Sequence, residues 1–291
     1  MVRRPTPFHP RTPRPWRPGV RPCRIDRSAP VAQLDRASGF EPEGREFESL
    51  RARHYIKYLL TLALEREQLV KKLLKGIVDF RKNVRPQVKD TFAHLALGQR
   101  PDALFIACSD SRVVPNLFAS TEPGDLFVIR NVGNLIPPCT ADHSSHGSEA
   151  AAIEFGLANL PISDVIVCGH SECGAIGALS QGARNPGAPA FNCWLQHAKG
   201  SLEQLEAGAT LGNHLERHNQ LSQLNVLHQL EHLKTYPVVR DGLASGQLRL
   251  HGWYFDIKEA NVYEYEPSEG RFHLIDETYA ATLLNRERNR P

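Results

Sequence analysis

The stretch LFIACSDSRVVP, residues 104–115, joins a run of apolar residues to a group of reactive ones. Leu104–Ala107 are apolar without alternation, which predicts a short strand buried on both faces, as in a parallel sheet. Cys108, Asp110 and Arg112 follow at alternate positions, so an extended backbone places their side chains on one side. In open α/β sheets, ligands bind beyond the carboxyl ends of the strands. The stretch therefore predicts a parallel sheet with a functional site at its edge.

The rest of the chain repeats this alternation of buried strands and helices. Further strands are predicted at Leu126–Ile129, Val165–Cys168, Leu248–Ile257 and Val262–Glu266. Helices are predicted at residues 70–83 and 87–97, separated at Pro86, and at Glu149–Leu160 and Leu221–Thr235, the last stopped by Pro237. The pattern indicates an α/β fold, with a mostly parallel β-sheet flanked by helices.

Composition and charge restrict the partners that the chain can have. Its 291 residues are 41% hydrophobic and 23% charged, and no apolar run is long enough to span a bilayer. No signal-peptide pattern is present at the start, so we expect a cytoplasmic protein without a membrane partner. Residues 1–69 hold 14 Lys and Arg against 8 Asp and Glu, whereas the other 222 residues hold 21 against 24. Because the main body is not basic, we expect no nucleic-acid partner.

The first 69 residues have an unusual composition. Residues 1–30 are rich in Pro and Arg and lack periodicity, which indicates disorder. Val31–Ala37 can be encoded by a stretch that resembles the D-arm of a tRNA gene, and Glu46–Ser49 by one that resembles the T-arm. We therefore interpret residues 1–69 as a disordered or spurious extension, with a tRNA-gene-like translation at about 31–54.

The folded domain is expected to begin after this extension. Met1 is the only methionine, so an internal start requires GTG or TTG, and Val70 stands at the head of an amphipathic pattern. The 222 residues from Val70 onward have the size of one domain. We expect a single domain at 70–280 and a polar tail at 281–291.

Three potential metal ligands follow two of the predicted strands. Cys108 ends one strand, and His170 and Cys173 lie in the glycine-flanked turn GHSECG that follows another. Two thiolates and an imidazole suit tetrahedral Zn²⁺, and three protein ligands leave a fourth position open, as in catalytic sites. Arg112 can hold Asp110 ionised through a charge-assisted pair, and Asp110 can then orient an attacking water. The motif His-x-x-Cys is a weak signal alone, but its pairing with Cys-x-Asp-Ser-Arg makes it a strong one.

Other cysteines and histidines offer competing interpretations. Cys168 shares a side of its strand with His170, but a free cysteine is commonly buried, and we interpret it as a core residue. Two pairs of histidines have a spacing of four residues: His214 and His218, and His228 and His232. Because these pairs lack acidic partners at fixed spacing, we interpret them as a solvated helix face rather than a second metal site.

Together these motifs resemble those of β-class carbonic anhydrases. CSDSR, RNVGN, HGSEAAAIEFG and GHSECGA occur in order, and the similarity extends from about residue 70 to about residue 266. The resemblance implies one Zn²⁺ per subunit, held by Cys108, His170 and Cys173 beside a catalytic pair, Asp110 and Arg112. In some members that Asp moves onto the metal, so Asp110 is also a potential ligand. A homodimer or higher homo-oligomer is implied as well, with the substrate pocket shared across the subunit interface.

The resemblance further implies a substrate pocket. The sequence also departs from the family pattern at two positions. The pocket residues are Gln99, Phe127, Phe155 and Gly169. Phe155 stands where the plant enzymes have a tyrosine, so we expect no role for a hydroxyl there. Phe105 stands where members inhibited by bicarbonate have a tryptophan, so we do not expect that regulatory pocket. HGWYFDI, residues 251–257, resembles the plant and cyanobacterial branch.

The reaction implied by the resemblance is the reversible hydration of CO₂ to bicarbonate and a proton. An alternative enzyme on the same scaffold is a hydrolase of a CO₂ analogue, carbonyl sulfide or carbon disulfide. A non-catalytic binding module stabilised by zinc is the alternative outside enzymes, and the open ligand position and the Asp110–Arg112 pair argue against it. Stopped-flow measurement of CO₂ hydration distinguishes the three.

Deleting residues 1–69 should leave metal content and CO₂ hydration unchanged, because this segment supplies no predicted ligand and no predicted core. Mass spectrometry of the native protein should find an N-terminus near Val70. Peptides from residues 31–53 in the native proteome would contradict the expectation.

Overall fold

The computed structural model describes residues 70–140, 147–182, 185–211 and 215–288. The chain divides into two compact units, Met1–Val78 and Asp79–Pro291. In the first unit the described residues, 70–78, are helical. The extension predicted at 1–69 lies outside the described residues, so its dispensability stays a prediction.

Six strands of the second unit form one sheet, in the order β2-β1-β3-β4-β5-β6. They are β1 (Ala103–Cys108), β2 (Leu126–Asn131), β3 (Asp164–His170), β4 (Arg249–Asp256), β5 (Asn261–Glu266) and β6 (Arg271–Leu274). The first four in sequence are parallel to one another, and β5 and β6 are antiparallel to their neighbours. The predicted α/β fold with a mostly parallel sheet is confirmed. The sequence did not predict β6, because none of its four residues is buried and they form no apolar run.

Strand β1, the second strand from one edge of the sheet, is buried along its whole length. Leu104 and Ile106 pack into one apolar cluster, whereas Phe105 and Ala107 pack into another on the opposite face of the sheet. Burial of both faces explains the unbroken apolar run in the sequence. A third cluster lies beyond the carboxyl ends of the strands and includes Cys108.

Helices flank the sheet and cover the carboxyl ends of its strands. They are α1 (Arg85–Leu95), α2 (Pro115–Phe118), α3 (Ser148–Asn159), α4 (Gly174–Ser180), α5 (Pro189–Trp194), α6 (Lys199–Glu206), α7 (Arg217–Leu233), α8 (Pro237–Ala244) and α9 (Glu277–Arg288). Pro237, predicted to stop the helix before it, is the first residue of α8. α9 crosses the domain boundary expected at residue 280. Among the helices described, none is long and apolar enough to cross a bilayer.

The predicted break of the helix at Pro86 is wrong. A π-helical turn, Phe80–Val84, leads directly into α1, where Pro86 occupies the second position. The N–H of Arg85 donates to the carbonyl of Phe80, five residues earlier. Proline is tolerated in the first turn of a helix, where its missing N–H needs no intrahelical partner. The wider π-turn therefore lets the chain begin a new α-helical segment without leaving the helix.

The predicted solvated face is wrong for the second pair of histidines on α7. His228 and His232 are half-buried, with ring centroids 4.3 Å apart, and burial lowers the pKa of both rings. His232 Nδ1 donates to the Ile136 carbonyl at 2.6 Å. A Cβ atom on Gly200 would lie 2.4 Å from the ring of His228, so the absence of a side chain there makes room for it. His214, from the first pair, lies outside the described residues.

A cluster of charged side chains joins the amino ends of β3 and β4 to β5. Asp164 accepts hydrogen bonds from Arg249 at 2.6 Å and from His251 Nε2 at 2.9 Å, while His251 Nδ1 donates to Glu264 at 2.8 Å. Burial alone would lower the pKa of His251, but the carboxylates of Asp164 and Glu264 outweigh it and raise the pKa to about 9. The imidazolium therefore connects three strands at the end of the sheet remote from Cys108.

Replacing His251 with Gln should destabilise the protein most at acidic to neutral pH. Because its folded pKa of about 9 lies above its unfolded value, the contribution is complete below about pH 6.5 and is lost as the pH rises through 9. We expect a loss of about 3 kcal/mol in the free energy of unfolding at pH 6, as for breaking a buried ion pair, and a smaller loss at pH 10. Urea denaturation at the two pH values measures both.

The control for this substitution is His94→Gln on the exposed surface of α1. It should change the free energy of unfolding by less than about 0.5 kcal/mol at either pH, as most surface substitutions do. A penalty for His251→Gln that stays constant between pH 6 and pH 10 would show that His251 is not held in its charged form.

Candidate metal centre

Three side chains meet beyond the carboxyl ends of β1 and β3. Cys108 is the last residue of β1, His170 is the last residue of β3, and Cys173 immediately precedes α4. Their ligand atoms lie within 4.8 Å of one another, and all three side chains are buried. Across the described ranges, no other group of three or more His, Cys, Asp or Glu side chains is arranged this closely. The structure thus brings together the three residues that the sequence suggested as ligands.

The imidazole of His170 is oriented by the backbone that follows it. Its Nδ1 lies 2.8 Å from the Ser171 carbonyl oxygen, which can only accept a hydrogen bond. The proton therefore resides on Nδ1, and Nε2 presents its lone pair. Nε2 is buried and has no hydrogen-bond partner. A metal ion bound at Nε2 would remove the free-energy cost of leaving this buried acceptor without a partner. A histidine that binds a metal commonly donates its other ring N–H to a backbone carbonyl, as Nδ1 does here.

The two thiols of the group are coupled electrostatically. The neighbouring Cys173 thiol lowers the pKa of the Cys108 thiol well below its ordinary value, against the opposing effect of burial. The N–H of Gly133, 3.3 Å from Cys108 Sγ, lowers it further. The proximity of Cys108 in turn raises the pKa of Cys173, as does the burial of Cys173. A divalent cation would compensate the charge of both thiolates, the form in which cysteine binds zinc.

Asp110 and Arg112 form a bidentate ion pair in the loop after β1. The guanidinium donates from Nε to Oδ1 at 2.9 Å and from Nη2 to Oδ2 at 2.7 Å, and the backbone N–H of Arg112 also donates to Oδ1. These hydrogen bonds hold the pKa of Asp110 well below its usual range. Nη2 of Arg112 donates in addition to the Glu172 carbonyl at 3.0 Å, which ties the pair to the loop between His170 and Cys173. Asp110 is not one of the clustered ligands, so its role on the metal stays a prediction.

Arg130 belongs to this site, although the sequence analysis assigned it no role. Its guanidinium on β2 donates to the Cys108 carbonyl at 3.0 and 2.7 Å and to the Asp110 carbonyl at 2.8 Å. Charge-assisted contacts of this kind fix the backbone that carries one ligand and the neighbouring carboxylate. The motif RNVGN contains Arg130, but its partners are backbone carbonyls that no spacing in the sequence indicates.

The four predicted pocket residues occupy different surroundings. Phe127 on β2 is half-buried and Phe155 on α3 is exposed, with ring centroids 6.0 Å apart. Gln99 is exposed in the segment between α1 and β1. Gly169 lies in β3 beneath α7, where a Cβ atom would come within 2.7 Å of Val226. The geometry explains Gly169 by close packing, and contact of these residues with substrate stays a prediction.

Cys168 is a core residue, as predicted. Its side chain is fully buried in the apolar cluster that contains Phe105 and Phe255. Its thiol donates to the Gly169 carbonyl at 3.4 Å, and burial raises its pKa. A neutral, apolar thiol of this kind does not compete for the metal.

Comparison with known proteins agrees with this geometry. The sequence profile of the carbonic anhydrase family matches residues 103–262, a range that contains every residue of the Cys–His–Cys group. The solved structure of the β-carbonic anhydrase CcaA is 39% identical, covers 70% of this chain and 98% of its own, and gives a TM-score of 0.66. The chain belongs to the β-carbonic anhydrase family.

Two further relatives show how broadly this carbonic anhydrase resembles its family. The carbonic anhydrase of Synechococcus elongatus is 40% identical over 72% of this chain and 76% of its own. A tetrameric β-carbonic anhydrase from the ascomycete Sordaria macrospora is 30% identical, covers 68% of this chain and 96% of its own, and gives a TM-score of 0.56. Because these relatives and the matching family are carbonic anhydrases, we conclude that the protein is an enzyme.

Changing either cysteine ligand of this carbonic anhydrase to serine should remove the bound metal. Cys108→Ser and Cys173→Ser each replace a soft thiolate with a hydroxyl, which is a poor ligand for zinc. Cys168→Ser is the matched control: it buries a hydroxyl in the core and should cost about 1–3 kcal/mol of stability while the metal is retained. Elemental analysis of the purified variants measures the metal. Full metal content in either ligand variant would contradict the assignment.

Proposed function

We propose that this carbonic anhydrase hydrates CO₂ reversibly to bicarbonate and a proton, with one Zn²⁺ per subunit. The observation that carries the proposal is the buried Cys108–His170–Cys173 group next to the Asp110–Arg112 pair. Two sulfurs and one nitrogen suit a tetrahedral zinc ion with one position open. When bound there, zinc would supply the Lewis acidity that makes water a nucleophile at neutral pH.

The protein's own residues would orient the reactants. The carboxylate of Asp110 accepts a hydrogen bond from the attacking water, and this directs the oxygen lone pair toward the carbon of CO₂. Because Arg112 engages both oxygens of Asp110, the carboxylate stays ionised in one orientation. A C–O bond forms, one proton leaves to solvent, and bicarbonate departs. The apolar rings of Phe127 and Phe155 suit a small uncharged substrate.

We infer in addition that the protein is a homodimer or a larger homo-oligomer. β2 forms one edge of the sheet, and apolar side chains are exposed on it and on α3, among them Val128 and Phe155. Exposed apolar surface of this kind is typical of subunit interfaces. The tetrameric relative from Sordaria macrospora supports the inference. Light scattering coupled to size-exclusion chromatography measures the mass, and a strictly monomeric active enzyme would contradict it.

Stopped-flow CO₂ hydration tests the proposed reaction. We expect activity in the zinc-loaded wild type and a decrease in kcat/KM of about two to four powers of ten for Asp110→Asn, the range for a lost proton-transfer or orienting group. Arg112→Ala should lose a similar amount and the double variant little more, because the two residues act as a unit. All three should keep their zinc, since none removes a thiolate or imidazole ligand.

The matched control is Asp125→Asn, which changes a carboxylate that accepts the Glu122 N–H in a turn before β2 and lies outside the site. It should leave kcat/KM unchanged. A zinc-loaded wild type that hydrolyses carbonyl sulfide but does not hydrate CO₂ would identify the alternative enzyme. Full activity in Asp110→Asn would show that the pair does not guide the reaction.

A further inference from the structure

A stripe of polar side chains runs along the buried face of α7. It consists of Asn219, Ser222, Asn225 and Gln229, called here the α7 polar stripe. Their spacing of three or four residues places them on one face of the helix, and their exposed fractions are 7%, 1%, 0% and 0%. Apolar residues such as Leu221, Leu224 and Val226 surround them. Buried amides are costly unless they are hydrogen-bonded, so the partners of this stripe explain its presence.

The first two members bind the loop that carries His170 and Cys173. Asn219 accepts from the N–H of Glu172 at 2.8 Å and donates to the Glu172 carboxylate at 2.9 Å. Glu172 has a left-handed backbone, with φ of 56°, which the two contacts help to hold. Ser222 donates to the carbonyl of His170 at 2.8 Å.

The last two members bind the loop after β2. Asn225 donates to the Gly133 carbonyl at 3.2 Å, and its own oxygen accepts from Gln229 at 2.9 Å. Gln229 accepts from the N–H of Ile136 at 2.8 Å and donates to the His197 carbonyl at 3.0 Å. The two amides therefore form a continuous hydrogen-bonded chain against this loop. Its members are fully buried, so water does not compete for the contacts.

The same loop donates a hydrogen bond to a metal ligand. The N–H of Gly133 lies 3.3 Å from Cys108 Sγ. Gly133 has a φ of 84°, and a Cβ atom there would approach Ala175 to 3.3 Å, so the turn depends on glycine. This N–H lies in the plane of the Val132–Gly133 peptide, whose carbonyl accepts a hydrogen bond from Trp194 Nε1 at 2.7 Å. Asn225 binds the Gly133 carbonyl, which belongs to the next peptide, so the two contacts restrain the turn on both sides of Gly133.

Close packing of α7 on the sheet makes these contacts possible. A Cβ atom on Gly169 would lie 2.7 Å from Val226, and one on Gly252 would lie 3.1 Å from the same side chain. Glycine on β3 and on β4 thus lets the helix approach closely enough for short amide side chains to reach the backbone of the site loops.

We propose that Asn225 and Gln229 are positioning residues that hold the Gly133 N–H on Cys108 and thereby set the metal affinity of the site. The inference rests on the proposed zinc site. An N–H donor on a thiolate ligand stabilises its charge and holds the sulfur in the position from which it binds the metal. Without Asn225, the turn is restrained on only one side of Gly133, and the donor moves away from the sulfur.

The test compares Asn225→Leu, which removes the amide at nearly equal volume, with the wild type. Affinity for zinc, measured by competition with a chelator, should fall about 10- to 100-fold, the range for loss of a group that supports a ligand. In the cobalt-substituted protein, the sulfur-to-cobalt charge-transfer bands should move to longer wavelength, because an unbonded thiolate gives up its electron more readily. Unchanged affinity together with unchanged bands in Asn225→Leu would overturn the proposal.

Tyr236→Phe is the matched control, because it removes another buried hydrogen bond, from the Tyr236 hydroxyl to the Pro137 carbonyl at 2.7 Å. It should lower the melting temperature but leave zinc affinity and cobalt bands as in the wild type. If it shifts them as Asn225→Leu does, the effect is general loosening and the proposal is wrong.

If Asn225→Leu fails to fold, zinc affinity and cobalt bands are measured instead in Asn225→Ser and Gln229→Met. Unchanged values in both variants would overturn the proposal. A wild type that binds neither zinc nor cobalt would contradict the proposed function itself, and this outcome is distinct from failure of the positioning role.

Discussion

Parallel hydrogen bonding between β1 and β3 determines where the chemistry of this protein can occur. The register pairs Ala107 with Cys168, so Cys108 and His170, each at the end of its strand, emerge at the same edge of the sheet. A shift of the register by one residue would turn the side chains of one strand to the opposite face and separate the two ligands. The register of the sheet therefore fixes the distance between the two residues. Burial of β1 on both faces stabilises that register.

The site also depends on hydrogen-bond partners for the backbone groups in the loops beyond the strands. They lie outside the sheet, and those that are buried need another partner. Arg130 supplies donors to the carbonyls of Cys108 and Asp110, and the α7 polar stripe supplies partners to the loops around His170 and Gly133. The polar groups that satisfy the loops also restrict how the ligands can move, and rigid support of this kind is what preorganises a metal site.

Much of this arrangement could be predicted from sequence because its signals are local. The apolar run before Cys108 and the tight turn after His170 each mark a strand end, and the donor chemistry of two thiols and an imidazole indicates zinc. Arg130 and the α7 polar stripe could not be found in this way, since their partners are backbone atoms of residues distant in sequence. The prediction for His232 fails for the same reason: its partner is the carbonyl of Ile136, and a spacing of four residues is the same on a solvated helix face and on a buried one. The helix through Pro86 shows a further limit, because a π-turn is an option that periodicity does not reveal.

X-ray absorption at the zinc edge of the purified wild-type protein tests the central claim most directly. The account predicts one zinc per subunit with two sulfur neighbours at about 2.3 Å and the remaining neighbours nitrogen or oxygen at about 2.0–2.2 Å. Substitution of Cys108 or Cys173 should reduce the sulfur signal to one neighbour in any metal that is retained. A wild-type spectrum with four sulfur neighbours, or with none, would contradict a site built from Cys108, His170 and Cys173.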